Sequence, residues 1–136
     1  MKIASPQPRE RADVLQIPQE RPEVLVAGAG PVGLMAALVL AEQGIQVQIV
    51  DQEKRPAARS YALALHPQSL RLLDEVGLAD GLLARAHRIE RLAFYEGMER
   101  RAELDLTALP AEFPFVAVLP QQILEGALES ELKRRG

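Results

Sequence analysis

Six residues, GAGPVG at positions 28–33, constrain this chain more than any other feature. They stand between a short β-branched apolar run, VLVA at 24–27, and an apolar segment of helical periodicity. Gly28 permits a tight turn, Gly30 lets the backbone approach a pyrophosphate, and Gly33 lets a helix pack closely on a strand. Ala37, about one helical turn later, preserves that close packing. The amides of such a turn, together with the positive end of the helix dipole, form an anion site without a cationic side chain.

The surrounding pattern predicts the element that this turn serves. Residues 24–27 read as a fully buried parallel strand. Residues 34–43 read as a helix with Leu34, Ala37, Leu38 and Ala41 inward, and Gly44 stands where a helix stops. Residues 45–50 alternate apolar and polar side chains as a second strand, closed by Asp51. Asp51 lies about 20 residues beyond the glycines, the spacing at which an acid accepts the ribose hydroxyls of a dinucleotide. Strand, turn, helix, strand and acid together make a Rossmann-like βαβ unit of the α/β class.

Either side of this unit the pattern changes. Four prolines, Pro6, Pro8, Pro18 and Pro22, lie among scattered charges in residues 1–22, which predicts a disordered or loosely docked arm ahead of one domain over 23–136. Residues 52–61 read as loop, and Pro67 opens a helix to residue 76 with Leu70, Leu73 and Val76 inward. A short helix is expected over 80–86. Alternation over 88–106 about Glu96 and Gly97 predicts a β-hairpin, followed by loop at 107–114 and a strand at 115–119. A final amphipathic helix over 121–135 turns Ile123, Leu124, Leu128 and Leu132 inward.

Composition closes several function classes. The 136 residues suit one core, with 48% hydrophobic and 26% charged residues. A net charge of −3 supplies no field for phosphate backbones, and 4% aromatics supply no base-stacking platform, so nucleic acid is not an expected partner. No cysteine and only two histidines argue against a metal site or a thiolate nucleophile. No run approaches the roughly 20 apolar residues of a membrane span, and the N-terminus carries no signal-peptide core, so the expected compartment is the cytoplasm. His66 and His87 have no visible serine and acid arranged as a triad. Lys54 and Arg55 follow Asp51 and would suit either a 2′-phosphate or a solvated turn.

Three segments carry a resemblance to a known family: VLVAGAGPVGLMAALVLAEQGIQVQIVDQ, then SYALALHPQSLRLLDEVGL, then LPQQILEGAL. In this order and spacing they resemble the N-terminal part of FAD-dependent aromatic-ring monooxygenases of the p-hydroxybenzoate and phenol hydroxylase type. The resemblance covers residues 23–136. It implies that Gly28, Gly30, Pro31, Val32 and Gly33 hold the FAD pyrophosphate and that Asp51, where the family more often has glutamate, binds the adenosine ribose. It also implies that Gln121 contacts the flavin side of the cofactor, followed by an acid at Glu125. The family's arginine position falls on Tyr61, so Arg59, two residues earlier, either supplies that charge or remains solvated.

The same resemblance implies an aromatic small-molecule substrate, NAD(P)H as transient electron donor, and a fold continuing into an antiparallel β region on the substrate side. The family's second flavin motif, an Asp-Gly segment, and its later Gly-Asp segment have no counterpart in the 136 residues. The expectation is therefore a portion binding the ADP half of FAD, incomplete relative to the family, with an open sheet edge through which it self-associates. An NAD(P)-dependent dehydrogenase and a non-catalytic dinucleotide-binding domain remain as alternatives from the first βαβ unit alone.

Overall fold

Strand β1 (Val24–Ala27) runs into the glycine turn, α1 (Pro31–Glu42) returns, and β2 (Val47–Val50) pairs with β1 in parallel, Val24 opposite Val47 and Ala27 opposite Val50. The computed structural model describes residues 22–52 and 61–135. The 1–21 part of the expected arm, with Lys54, Arg55 and Arg59, lies outside the described residues. The chain continues through β3 (Ala62–Leu65), α2 (Pro67–Glu75), α3 (Ala79–Leu83), β4 (His87–Ile89), β5 (Arg91–Glu96), β6 (Glu99–Asp105), a single 3₁₀ turn at Leu106–Ala108, β7 (Val116–Pro120) and α4 (Gln121–Arg135). The architecture is mixed α/β.

Helix α1 starts at Pro31, three residues ahead of the expected 34. Proline is suited to the first helical position, since it lacks an N–H that would find no intrahelical partner there. Gly33 is therefore inside the helix. At the other end Gln43 is the C-cap and Gly44, at φ +78°, takes the left-handed conformation that ends the helix.

Two strands were not foreseen. β3 has the sequence ALAL, whose residues carry weak strand preference, and it exists because it pairs antiparallel with β7, Ala62 opposite Pro120 and Leu65 opposite Ala117. β4 separates from the hairpin and pairs with the other edge of β7, giving a three-stranded sheet in the order β3-β7-β4. The hairpin itself is shorter than the expected 88–106, comprising β5 and β6 about a turn at Gly97.

One core joins these parts. Leu34 and Leu38 of α1, Leu70 and Leu73 of α2, Ala117 and Leu119 of β7, and Leu124 and Leu128 of α4 belong to a single buried cluster. β1 is not fully buried, contrary to the sequence reading: α1 covers one face of the two-stranded sheet, while Leu25 on the other face is 60% exposed. Among the described residues no helix is long and apolar enough to cross a membrane.

Helices α1 and α4 pack side by side, and Arg135 near the end of α4 pairs with Glu42 at the end of α1. The two helices are therefore parallel. At 1.5 Å per residue they run about 18 and about 22 Å back from that pair, so their N-terminal ends, at the glycine turn and at Gln121, lie at the same end of the molecule.

Candidate dinucleotide site

Two of the three glycines of the turn are required by the chain itself, for different physical reasons. Gly28 has φ +106°, a conformation that side-chain-bearing residues rarely adopt, and its N–H donates to the Val50 carbonyl at 2.7 Å. Gly33 is compelled by packing: a Cβ there would sit 1.9 Å from the Gly28 carbonyl oxygen and 3.3 Å from Val26 Cγ1. Gly30 answers to neither cause. Its φ of −71° suits any residue, and a Cβ would meet nothing within 4 Å.

Gly30 is also the N-cap of α1, and no side chain caps the helix. The first-turn amides of a helix have no intrahelical partner, Pro31 has none to offer, and α1 carries no acid in its first turn to repel an anion. Val32 is 84% exposed beside this opening. A helix N-terminus of this kind, with no side chain at residue 30, fits a pyrophosphate.

Asp51 closes β2 next to the turn. Its Oδ2 accepts from the Ala29 N–H at 2.6 Å, so residues 22 apart in sequence are joined directly. The acid and the glycines that the sequence pattern groups are thus adjacent in space, at the C-terminal ends of two parallel strands, where α/β sheets place their ligands. The Ala29 amide is the residue that sequence reasoning missed. Its side chain gives no signal, and only its place between Gly28 and Gly30 marks it.

Gln121 opens α4, its backbone N–H donating to the Tyr61 carbonyl at 2.8 Å and its side-chain amide to Glu125 Oε1 at 2.9 Å. It lies at the same end of the α1–α4 pair as the turn, while its own hydrogen bonds go to Tyr61 and Glu125. The β3–β7 pairing is what sets Tyr61 beside it. His66 is the N-cap residue of α2 but makes no side-chain capping bond, and His87 lies exposed at the start of β4. Among the described residues no three His, Asp or Glu side chains gather as a metal site. A cleft of about 560 Å³ opens between α3 and α4, lined by Leu78, Leu82, Arg85, Ile123 and Ala127 among others; it includes none of the turn residues.

Comparison with known proteins identifies the family. A family model described as FAD binding domain matches residues 21–136. Among curated relatives, 6-methylpretetramide 4-monooxygenase of Streptomyces rimosus is 37% identical over 117 residues, covering 85% of this chain and 21% of the relative. Pentachlorophenol 4-monooxygenase of Sphingobium chlorophenolicum is 28% identical over 111 residues, covering 81% of this chain and 21% of the relative. Among solved structures, p-nitrophenol 4-monooxygenase PnpA of Pseudomonas putida DLL-E4 superposes with a TM-score of 0.73 at 30% identity, covering 82% of this chain and 29% of that one. The chain thus spans about a fifth of the length of the curated relatives.

Proposed function

The chain belongs to the FAD binding domain family, and from that premise we propose that it is the Rossmann-like portion of an FAD-dependent aromatic monooxygenase that holds the ADP half of FAD. The observation that carries this reading is Gly30, a glycine that neither backbone conformation nor packing among the described residues requires. A ligand passing over the turn does require it, because a side chain there would stand in front of the amides of α1.

Each remaining residue has a stated task. Gly28, Pro31, Val32 and Gly33 shape the turn and aim the first-turn amides of α1 at the diphosphate. Asp51 accepts a hydroxyl of the adenosine ribose. Arg59 offers a cation to the diphosphate, and Gln121 serves the flavin side of the cofactor. When bound, the flavin supplies the redox and oxygen chemistry; the protein supplies position and exclusion of water. In the whole enzyme NAD(P)H is the transient electron donor and a small aromatic molecule the substrate. Residues 23–136 act as one domain behind an arm at 1–22. The dehydrogenase and the non-catalytic alternatives lose ground, since the matched family is one of FAD binding and the relatives named above are monooxygenases.

Titration of the purified chain with ADP and with FAD tests the reading. Gly30→Val should leave the melting temperature near that of the parent, because a Cβ at this position meets nothing within 4 Å among the described residues, and should abolish binding. Equal affinity of the two proteins for both ligands would overturn the assignment.

A further inference from the structure

The carboxylate assigned to the ribose is already engaged with the protein. Asp51 Oδ2 takes the Ala29 amide at 2.6 Å, and the preceding amide, that of Gly28, goes to the Val50 carbonyl at 2.7 Å. Two successive amides of the turn are therefore tied to the last two residues of the β2 end. Ala29 lies between two glycines, the residues with the widest backbone freedom, so the conformation of this segment depends on what holds it. A hydrogen bond to an ionised acceptor is the stronger kind of tether.

We propose that Asp51 is a positioning residue for the diphosphate as well as an acceptor for the ribose: its carboxylate holds Ala29, and with it the Gly28–Gly30 segment, in the conformation that opens the α1 terminus to a ligand. The proposal rests on reading the turn as a diphosphate site. Its two roles have opposite electrostatic consequences. A carboxylate near a diphosphate repels it, so for a ligand without ribose hydroxyls, removing Asp51 would strengthen binding if the ribose contact were its whole contribution. If Asp51 holds the turn, the same removal weakens binding.

The test uses the full chain, ADP and 2′,3′-dideoxy-ADP, with Asp51→Ala and Asp51→Asn. The asparagine keeps one side-chain oxygen that can accept from Ala29 and exchanges the other, with the charge, for an NH2 group. Asp51→Ala should weaken dideoxy-ADP binding by about tenfold or more, the scale of one charge-assisted hydrogen bond, and Asp51→Asn should restore it. Hydrogen exchange at the Ala29 amide, followed by NMR without ligand, should be slow in the parent and in Asp51→Asn and fast in Asp51→Ala. Dideoxy-ADP bound by Asp51→Ala as tightly as by the parent, or more tightly, overturns the positioning role, as does equal exchange at Ala29 in those two proteins. Should the parent bind neither nucleotide, the diphosphate reading falls; Ala29 exchange then decides the tether by itself, supported if slower in the parent than in Asp51→Ala and refuted if equal.

Discussion

At the residue scale, the three glycines of the turn should separate into distinct phenotypes. Gly33→Ala forces a Cβ to within 1.9 Å of a backbone oxygen that has no flexible end to move aside. The helix must shift from the strand, and the loss of stability should reach about 1–3 kcal/mol or more, the scale of an overpacked interior; urea denaturation measures it. Gly28→Ala should cost about 1–2 kcal/mol through its positive φ. Gly30→Val should cost little stability and all of the nucleotide affinity, a dissociation that a purely structural role for the glycines does not produce. Asp51 adds selectivity. In the proposed role a carboxylate that accepts ribose hydroxyls repels a 2′-phosphate, so ADP should bind more tightly than 2′-phospho-ADP, and Asp51→Ala should narrow the gap. A preference of the parent for the phosphorylated nucleotide would be incompatible with that role.

At the scale of elements, the β5–β6 hairpin is the least buried part of the described chain. Leu92 faces Leu104 and Phe94 faces Ala102, yet Phe94 is 55% and Leu104 46% exposed. A two-stranded hairpin is marginal by itself in water, so its ends matter. Leu106, buried, donates its N–H to the Glu90 carbonyl at 2.8 Å, and Asp105 Oδ1 accepts from Thr107 Oγ1 at 2.6 Å and Thr107 N at 3.0 Å. Those bonds, that from the Thr107 hydroxyl first and that from its backbone next, hold the Asp105 carboxyl below its usual value of 3.8. A lowered carboxylate pKa favours the folded form above the ordinary carboxylate range, and the contribution disappears as pH falls through the lowered value. Amide protection at the foot of the hairpin should therefore decline on acidification below about pH 4. In Asp105→Asn the same protection should be less sensitive to pH across that window. Identical acid profiles for the two proteins would remove Asp105 from this account.

For the whole molecule, the parallel sheet has two strands among the described residues, and one of its faces exposes apolar side chains. Leu25 on β1 and Val50 on β2, 60% and 42% exposed, share that face, and exposed apolar area of this kind marks a surface made to be covered. Unpaired strand edges add a template for further pairing. The 136-residue chain should thus be of marginal stability and self-associate, or lean on a partner, in sedimentation experiments. Leu25→Gln should shift it toward monomer. A monodisperse parent monomer with strongly protected amides at Val47 and Ile49 would count against the idea. The same chain with FAD and phenols should not consume NAD(P)H faster than free flavin does, because a span of about a fifth of the relatives' length cannot enclose a flavin ring and a substrate away from water. Substrate-stimulated oxidation well above the free-flavin rate would contradict this.

What the sequence determined by itself was the part of the fold encoded by neighbours. Glycines flanked by a β-branched run and a helical period define strand, turn and helix within a few residues, and Asp51 follows at a spacing that the βαβ geometry dictates; α4 was legible from its apolar period to the residue at both ends. The same holds for the inward set Leu70, Leu73 and Val76. Tertiary structure alone decided the rest. ALAL becomes a strand only because β7, more than fifty residues later, offers it hydrogen bonds, and β4 leaves the hairpin for the same partner. Likewise, the link from Asp51 to Ala29 and the parallel course of α1 and α4 that brings Gln121 to the end of the molecule holding the turn depend on atoms distant in sequence. Local preference is written in short windows of side chains, whereas pairing register and the contents of a space are properties of two segments at once.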